Sequence, residues 1–134
     1  MSKEFFWLSL TLASTALFFL PYVLNRIVVR GLWGAMANPS PNDLPLTPWA
    51  ERAQRAHINA VENLVLFAPA VIAVQALNLS NSTTVFGCEL YFVSRVAHYL
   101  AYTAGVPVLR TITFFGGWIG TILLIVRLVE ATAV

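Results

Sequence analysis

Residues 51–63 read Glu51-Arg52-Ala53-Gln54-Arg55-Ala56-His57-Ile58-Asn59-Ala60-Val61-Glu62-Asn63, and from Leu64 the chain runs almost wholly apolar to Ala76. Thr47-Pro48 just upstream reads as an N-cap followed by the first helical position, and Glu51 stands in the first turn, where the helix dipole favours a negative charge. The stretch therefore predicts one long helix over about 49–76, with Pro69 inside it and a bend expected there. Arg55, Asn59 and Glu62 fall at i, i+4 and i+7 and share one face. A helix this greasy, carrying one polar stripe, is the pattern of a bilayer-spanning segment with an inward-looking side.

The rest of the chain agrees. Of 134 residues, 58% are hydrophobic and only 10% charged, against roughly 25% charged in an average soluble domain. A span takes about 20 apolar residues, so the length accommodates four spans with short connections and no separate soluble domain. The first span is expected over about 5–29, kinked at Pro21. It is too long for the h-region of a signal peptide, no small-residue cleavage site follows, and it reads as retained. Asn38-Pro39-Ser40-Pro41-Asn42-Asp43 cannot propagate a helix and forms the first loop. Asn78 to Ser82 makes a short polar turn before a third span over about 85–104. Gly105-Val106-Pro107 ends that span, and a fourth covers about 108–130. The expectation is an all-α bundle of four transmembrane helices with up-down topology.

Arg26, Arg30, Arg52, Arg55 and Arg110 flank the first and third loops, while Lys3 and Arg127 lie toward the other face. Basic residues favour cytoplasmic loops, so both termini are expected on the non-cytoplasmic side. No targeting signal distinguishes a bacterial inner membrane from the endoplasmic reticulum. A net charge of +2 with scattered basic residues lacks the patch or stripe that nucleic-acid binding requires. The single cysteine, Cys88, excludes an intrachain disulfide and a cysteine-based metal site, and no metal site is expected.

A second polar face comes from Arg95, His98 and Tyr102, at i, i+3 and i+7. At about 1.5 Å per residue, Glu62 lies roughly 20 Å from the start of its helix and Arg95 roughly 14 Å from the end of an antiparallel one. Charges facing lipid cost several kcal/mol, so these two are expected to point inward and pair, either fixing helix register or touching a ligand. Arg55, Asn59, His98, Tyr102 and Arg110 would then surround a polar cavity. Arg110 opens a helix beside Thr111, where free N–H groups and a guanidinium together attract an anion. Arg26 and Arg52 read as side chains that snorkel to headgroups, His57 as structural, and the four tryptophans as anchors.

The run from Glu51 to Asn63 resembles the second-helix signature of the membrane-associated proteins in eicosanoid and glutathione metabolism, the MAPEG family. Arg95-Val96-Ala97-His98-Tyr99-Leu100-Ala101-Tyr102 with Leu109-Arg110-Thr111-Ile112-Thr113 is similar to the third and fourth helices of the prostaglandin synthase and microsomal glutathione transferase branch. Arg30 and Ala37-Asn38-Pro39 resemble that branch's first loop. The resemblance implies a homotrimer with glutathione between subunits near the cytoplasmic face. It implies contacts from Arg30, Arg55, Asn59, Glu62, His98, Tyr102 and Arg110, with Arg110 holding the thiolate and Thr111 donating to the sulfur. Ile58, Phe114 and Pro41 depart from the prostaglandin synthase pattern, so general glutathione transferase and peroxidase activity is expected over prostaglandin isomerisation. The partners implied are the bilayer and a lipophilic electrophile or lipid hydroperoxide. The family also includes a non-catalytic lipid-binding member, which keeps an accessory role open. A small multidrug-type transporter with Glu62 as coupling residue is disfavoured by the surrounding arginines.

Overall fold

Ser2 accepts from the backbone N–H of Phe5 at 3.1 Å and starts a helix in the first turns of the chain. In the computed structural model, which describes residues 1–133, five helical elements follow: α1 (Lys3–Leu17), α2 (Leu20–Met36), α3 (Pro48–Ala76), α4 (Ser82–Ala104) and α5 (Pro107–Thr132). They build four rods, because α1 and α2 continue each other. Phe18 and Phe19 keep right-handed helical angles between them. Pro21 lacks the N–H that Leu17 would have met, so the ladder lapses there.

The first rod is longer than expected. Helical backbone is interrupted at Gly31, whose φ of 73° and ψ of 167° only glycine adopts without strain, then resumes as far as Met36. Leu32, Trp33 and Met36 are helix-compatible and no proline intervenes before Pro39, so this stretch, read from sequence as loop, coils once more. Its apolar side chains are exposed, Trp33 at 81%.

At the start of α3, Thr47 holds the N-cap backbone position and Pro48 the first helical one, but the threonine hydroxyl caps nothing. The Thr47 N–H donates instead to Asn25 Oδ1 at 3.2 Å, tying α3 to the side of α2. The helix runs unbroken through Pro69 to Ala76. α4 starts earlier than the expected residue 85, because Asn81 and Thr84 cap one another reciprocally, each side chain bonded to the other's backbone N–H at 2.9 Å.

Three rods, Lys3–Met36, Pro48–Ala76 and Pro107–Thr132, are long and apolar enough to cross a membrane. α4, at 23 residues, is about 35 Å long, but it is the polar rod. Thr84, Ser94, Arg95 and His98 are all buried on it, so α1, α3 and α5 shield α4. Lipid offers no hydrophobic drive for helices to associate, so close approach must come from small residues. Ala50, Ala53, Ala56 and Ala60 form the buried face of the first half of α3. On α5, Gly120 comes so near α4 that a Cβ there would stand 2.5 Å from the Gly87 carbonyl oxygen.

Two apolar clusters result. One packs Leu8, Phe67, Val71, Val74, Tyr91 and Leu124 toward the chain termini, with the rings of Phe67 and Tyr91 stacked 3.6 Å apart. The other packs Phe18, Ala53, Ala56, Ala60 and Tyr99 toward the opposite end. That second end gathers the exit of α2, the starts of α3 and α5 and the exit of α4.

Candidate functional site

At that end a cavity of about 220 Å³ is lined by Asn59, His98, Tyr102, Arg110, Thr111 and Phe114. Three rods contribute. α3 supplies Asn59, from the edge of its alanine face. α4 supplies His98 and Tyr102, one turn apart. α5 supplies Arg110, Thr111 and Phe114 from its first two turns. Five of the residues expected from sequence therefore share one hollow: Asn59, His98, Tyr102, Arg110 and Thr111.

The Arg110 guanidinium sits 4.8 Å from the centroid of the Tyr102 ring, a cation–π contact that aims the charge along the cavity wall. The helix begins at Pro107, three residues before Arg110, whose own N–H is already bonded to the Val106 carbonyl at 3.0 Å. The open N–H groups of this helix end are thus those of Val108 and Leu109, since Pro107 has none. The Thr111 hydroxyl donates to the Pro107 carbonyl at 3.1 Å. His98 Nδ1 meets the Arg110 carbonyl oxygen at 2.9 Å, while its Nε2 is buried without a partner.

Arg95 is coupled to the cavity from behind. It is 3% exposed and donates to Asn59 Oδ1 at 3.1 Å and to the Phe114 carbonyl at 2.9 Å, with its guanidinium between the rings of Tyr91 and Phe114. The expected pairing with Glu62 is not formed. The reason lies in the helix: Ala56 and Ala60 occupy the inward face of α3, and Glu62, about 200° further round from Ala60, is exposed. Arg55 is exposed on the same outer side and lines a separate shallow hollow with Glu51, Gln54 and Ile58. Asn59, between the two faces, reaches the arginine instead. Among the described residues no carboxylate lies in ion-pair contact with Arg95; the ion pairs found are Arg30–Asp43 and Arg127–Glu130.

Arg30 is also apart from the cavity. Its Nε donates to the Leu44 carbonyl at 2.7 Å and its Nη1 to Asp43 at 3.3 Å, so it clasps the first loop beside a hollow shared with Arg26 and Gln54. Arg52, read as snorkelling, turns inward and donates from Nε to the Thr103 carbonyl at 3.0 Å, fastening the first turns of α3 to the last of α4. His57 accepts or donates a 2.9 Å bond with the Tyr22 hydroxyl, a structural use. Sequence reasoning did not place Phe114 or Asn59 as partners of Arg95. The spacing of Arg110 and Phe114 at i, i+4 was the available signal for the phenylalanine.

Four packed rods, three of them long and apolar enough to cross a membrane, with a cationic, amide-bearing hollow at one end, define a multi-pass integral membrane protein. Residues 6–129 match the model of the MAPEG family, and the chain belongs to that family. No curated protein and no solved structure matches it.

Proposed function

We propose that this protein is a glutathione-dependent transferase of the membrane, conjugating lipophilic electrophiles and reducing lipid hydroperoxides. The observation that carries the reading is the convergence of Asn59, His98, Tyr102, Arg110 and Thr111 on one cavity. Members of this family mostly act on glutathione. The tripeptide brings two carboxylates, one ammonium, an amide backbone and a thiol. Arg110 supplies the cation, Asn59 the amide, and Tyr102 a hydroxyl. A buried Arg95 without a carboxylate leaves net positive charge behind the wall, which a guest of net negative charge offsets. A neighbouring guanidinium and a helix start both favour thiolate, the nucleophilic form.

The rest of the contact set belongs to an oligomer in this reading. The hollow of about 220 Å³ falls below the roughly 300–1,000 Å³ of complete ligand sites. Arg55 and Glu62 stand on the outer face of α3, where acyl chains would cost several kcal/mol per charge. A neighbouring subunit laid against that face would cover both charges and complete the pocket, which supports a homotrimer with glutathione at its seams and Arg30 reaching it from another protomer. The arginines clustered at the cavity end support a cytoplasmic opening and non-cytoplasmic termini. Lipid substrates would then enter sideways from the bilayer.

One observation favours the non-catalytic, lipid-binding alternative: the Thr111 hydroxyl spends its hydrogen on Pro107 and is not free for a sulfur. Calorimetric titration of the detergent-solubilised protein with glutathione, followed by conjugation of an aryl halide, separates the readings. Binding with turnover upholds the transferase; no heat at millimolar glutathione removes it.

A further inference from the structure

Thiolate formation needs a destination for the thiol proton, and neither Arg110 nor Thr111 provides one. A guanidinium has no lone pair to offer, and the threonine oxygen already donates into the helix. His98 is the group with unspent basicity. Its Nδ1 lies 2.9 Å from the Arg110 carbonyl oxygen, which only accepts, so Nδ1 carries the hydrogen. The other neighbour of Nδ1, Thr113 Oγ1 at 3.5 Å, donates its own hydrogen to the Leu109 carbonyl at 2.7 Å and is likewise an acceptor toward the ring. A neutral imidazole has one N–H, so the lone pair is on Nε2. That atom is buried and has no hydrogen-bond partner, in a side chain 3% exposed that lines the cavity shared with Arg110.

Leaving a buried acceptor unmet is unfavourable, and a ligand donor would meet it. The charged groups that bear on the ring are Arg95 on its own helix and Arg110 on α5. The titratable Tyr102 packs edge-on at 5.7 Å and Phe114 tilts against it at 6.0 Å. α3 contributes only the neutral Asn59 to the cavity lining, and the lining holds no carboxylate. The ring therefore stands in a positive field that a thiolate formed beside it would offset.

We propose that His98 is the proton acceptor of the reaction: the S–H bond of glutathione breaks, its electron pair stays on sulfur, and the proton forms a new N–H bond at Nε2. The product is a thiolate held by Arg110 beside an imidazolium, with no net charge created and the proton kept for the leaving group. The Arg110 backbone carbonyl is then a positioning group, because it fixes the tautomer while its own side chain holds the sulfur. The proposal rests on the glutathione reading.

The test counts protons. The wild-type protein is titrated with glutathione at pH 7 in two buffers of different ionisation enthalpy, and thiolate absorbance is read on the same samples. A free thiol is mostly protonated at that pH, so a thiolate whose proton stays on the enzyme appears with close to zero protons released per site. The His98→Asn variant keeps a donor for the Arg110 carbonyl and lacks Nε2. It is expected to release about one proton more per thiolate formed and to lose about 10²- to 10⁴-fold in kcat. A thiolate accompanied by a full proton in the wild type overturns the proposal and leaves the glutathione reading intact. So does binding with no thiolate, or an unchanged proton count in His98→Asn. Absence of binding overturns both. Should the variant fail to fold, the wild-type proton count decides alone.

Discussion

The hydroxyl of Tyr99 donates to the Phe18 carbonyl at 2.9 Å while the two rings stack with centroids 4.0 Å apart and planes within 5°. One α4 side chain thereby holds the first rod at the place where Pro21 weakens its ladder. Tyr99→Phe should keep the stack, lose the hydrogen bond and destabilise by about 1 kcal/mol. Tyr99→Ala loses both and should cost about 3–5 kcal/mol. Unfolding midpoints in a fixed detergent check the ordering; equal losses would mean the hydroxyl carries nothing.

Gly120→Ala places a methyl 2.5 Å from the Gly87 carbonyl oxygen and 3.0 Å from the Tyr91 backbone nitrogen, with backbone on both sides. Neither neighbour can rotate away, so α4 and α5 must part. A loss of about 1–3 kcal/mol is expected, read as a lower midpoint together with faster proteolysis of the α4–α5 turn. An unchanged midpoint would show that the two helices tolerate separation.

Glu4 is 1% exposed and accepts from the hydroxyls of Ser80 and Thr84, linking the start of α1 to the α3–α4 turn. Glu4→Ala removes the acceptor the two hydroxyls share, leaving Thr84 the Asn81 carbonyl at 2.9 Å and Ser80 the solvent, and should cost about 1 kcal/mol. The cavity is at the other end of the rods, so the Kd for glutathione should be unchanged when measured below the lowered midpoint. A large change in Kd would show that the ends are coupled.

Arg110→Ala removes the one guanidinium that lines the cavity among the described residues. Turnover with an aryl halide should fall by about 10²- to 10³-fold, the scale of losing one charge-stabilising donor, while the oligomeric state is retained. Thr111→Val, in contrast, removes a hydroxyl engaged with Pro107 and should cost less than about tenfold. A thousandfold loss in Thr111→Val would mean that the hydroxyl reorients toward sulfur on binding.

The spanning rods were legible because apolar runs and proline breaks act locally. Thr47-Pro48 located the start of α3, and the Gly105-Val106-Pro107 break separated α4 from α5, within a residue or so. The segment after Gly31 was not, since the helix-compatible run to Met36 resumes beyond a break that Gly31 makes and was read together with the proline-rich loop that follows it. Periodicity put Arg55 and Glu62 on one side of α3 and Asn59 at its edge, where it reaches the cavity, but it carries no information about which side meets α4. The alanines at 53, 56 and 60 decided that, because small side chains let two backbones approach, and they turned the charged stripe outward. The partners of Arg95 were hidden for the same reason: an asparagine and a backbone carbonyl leave no charge pattern to read.

The glycine contact between α4 and α5 has a bearing on how the cavity breathes. Two rods touching backbone to backbone travel as one plank, and five of the six side chains around the hollow are mounted on that plank. The sixth, Asn59, belongs to α3. A slide of α3 past that wall would widen the hollow without disturbing the other five side chains, and the bond Arg95 donates to Asn59 is the bolt such a slide would draw.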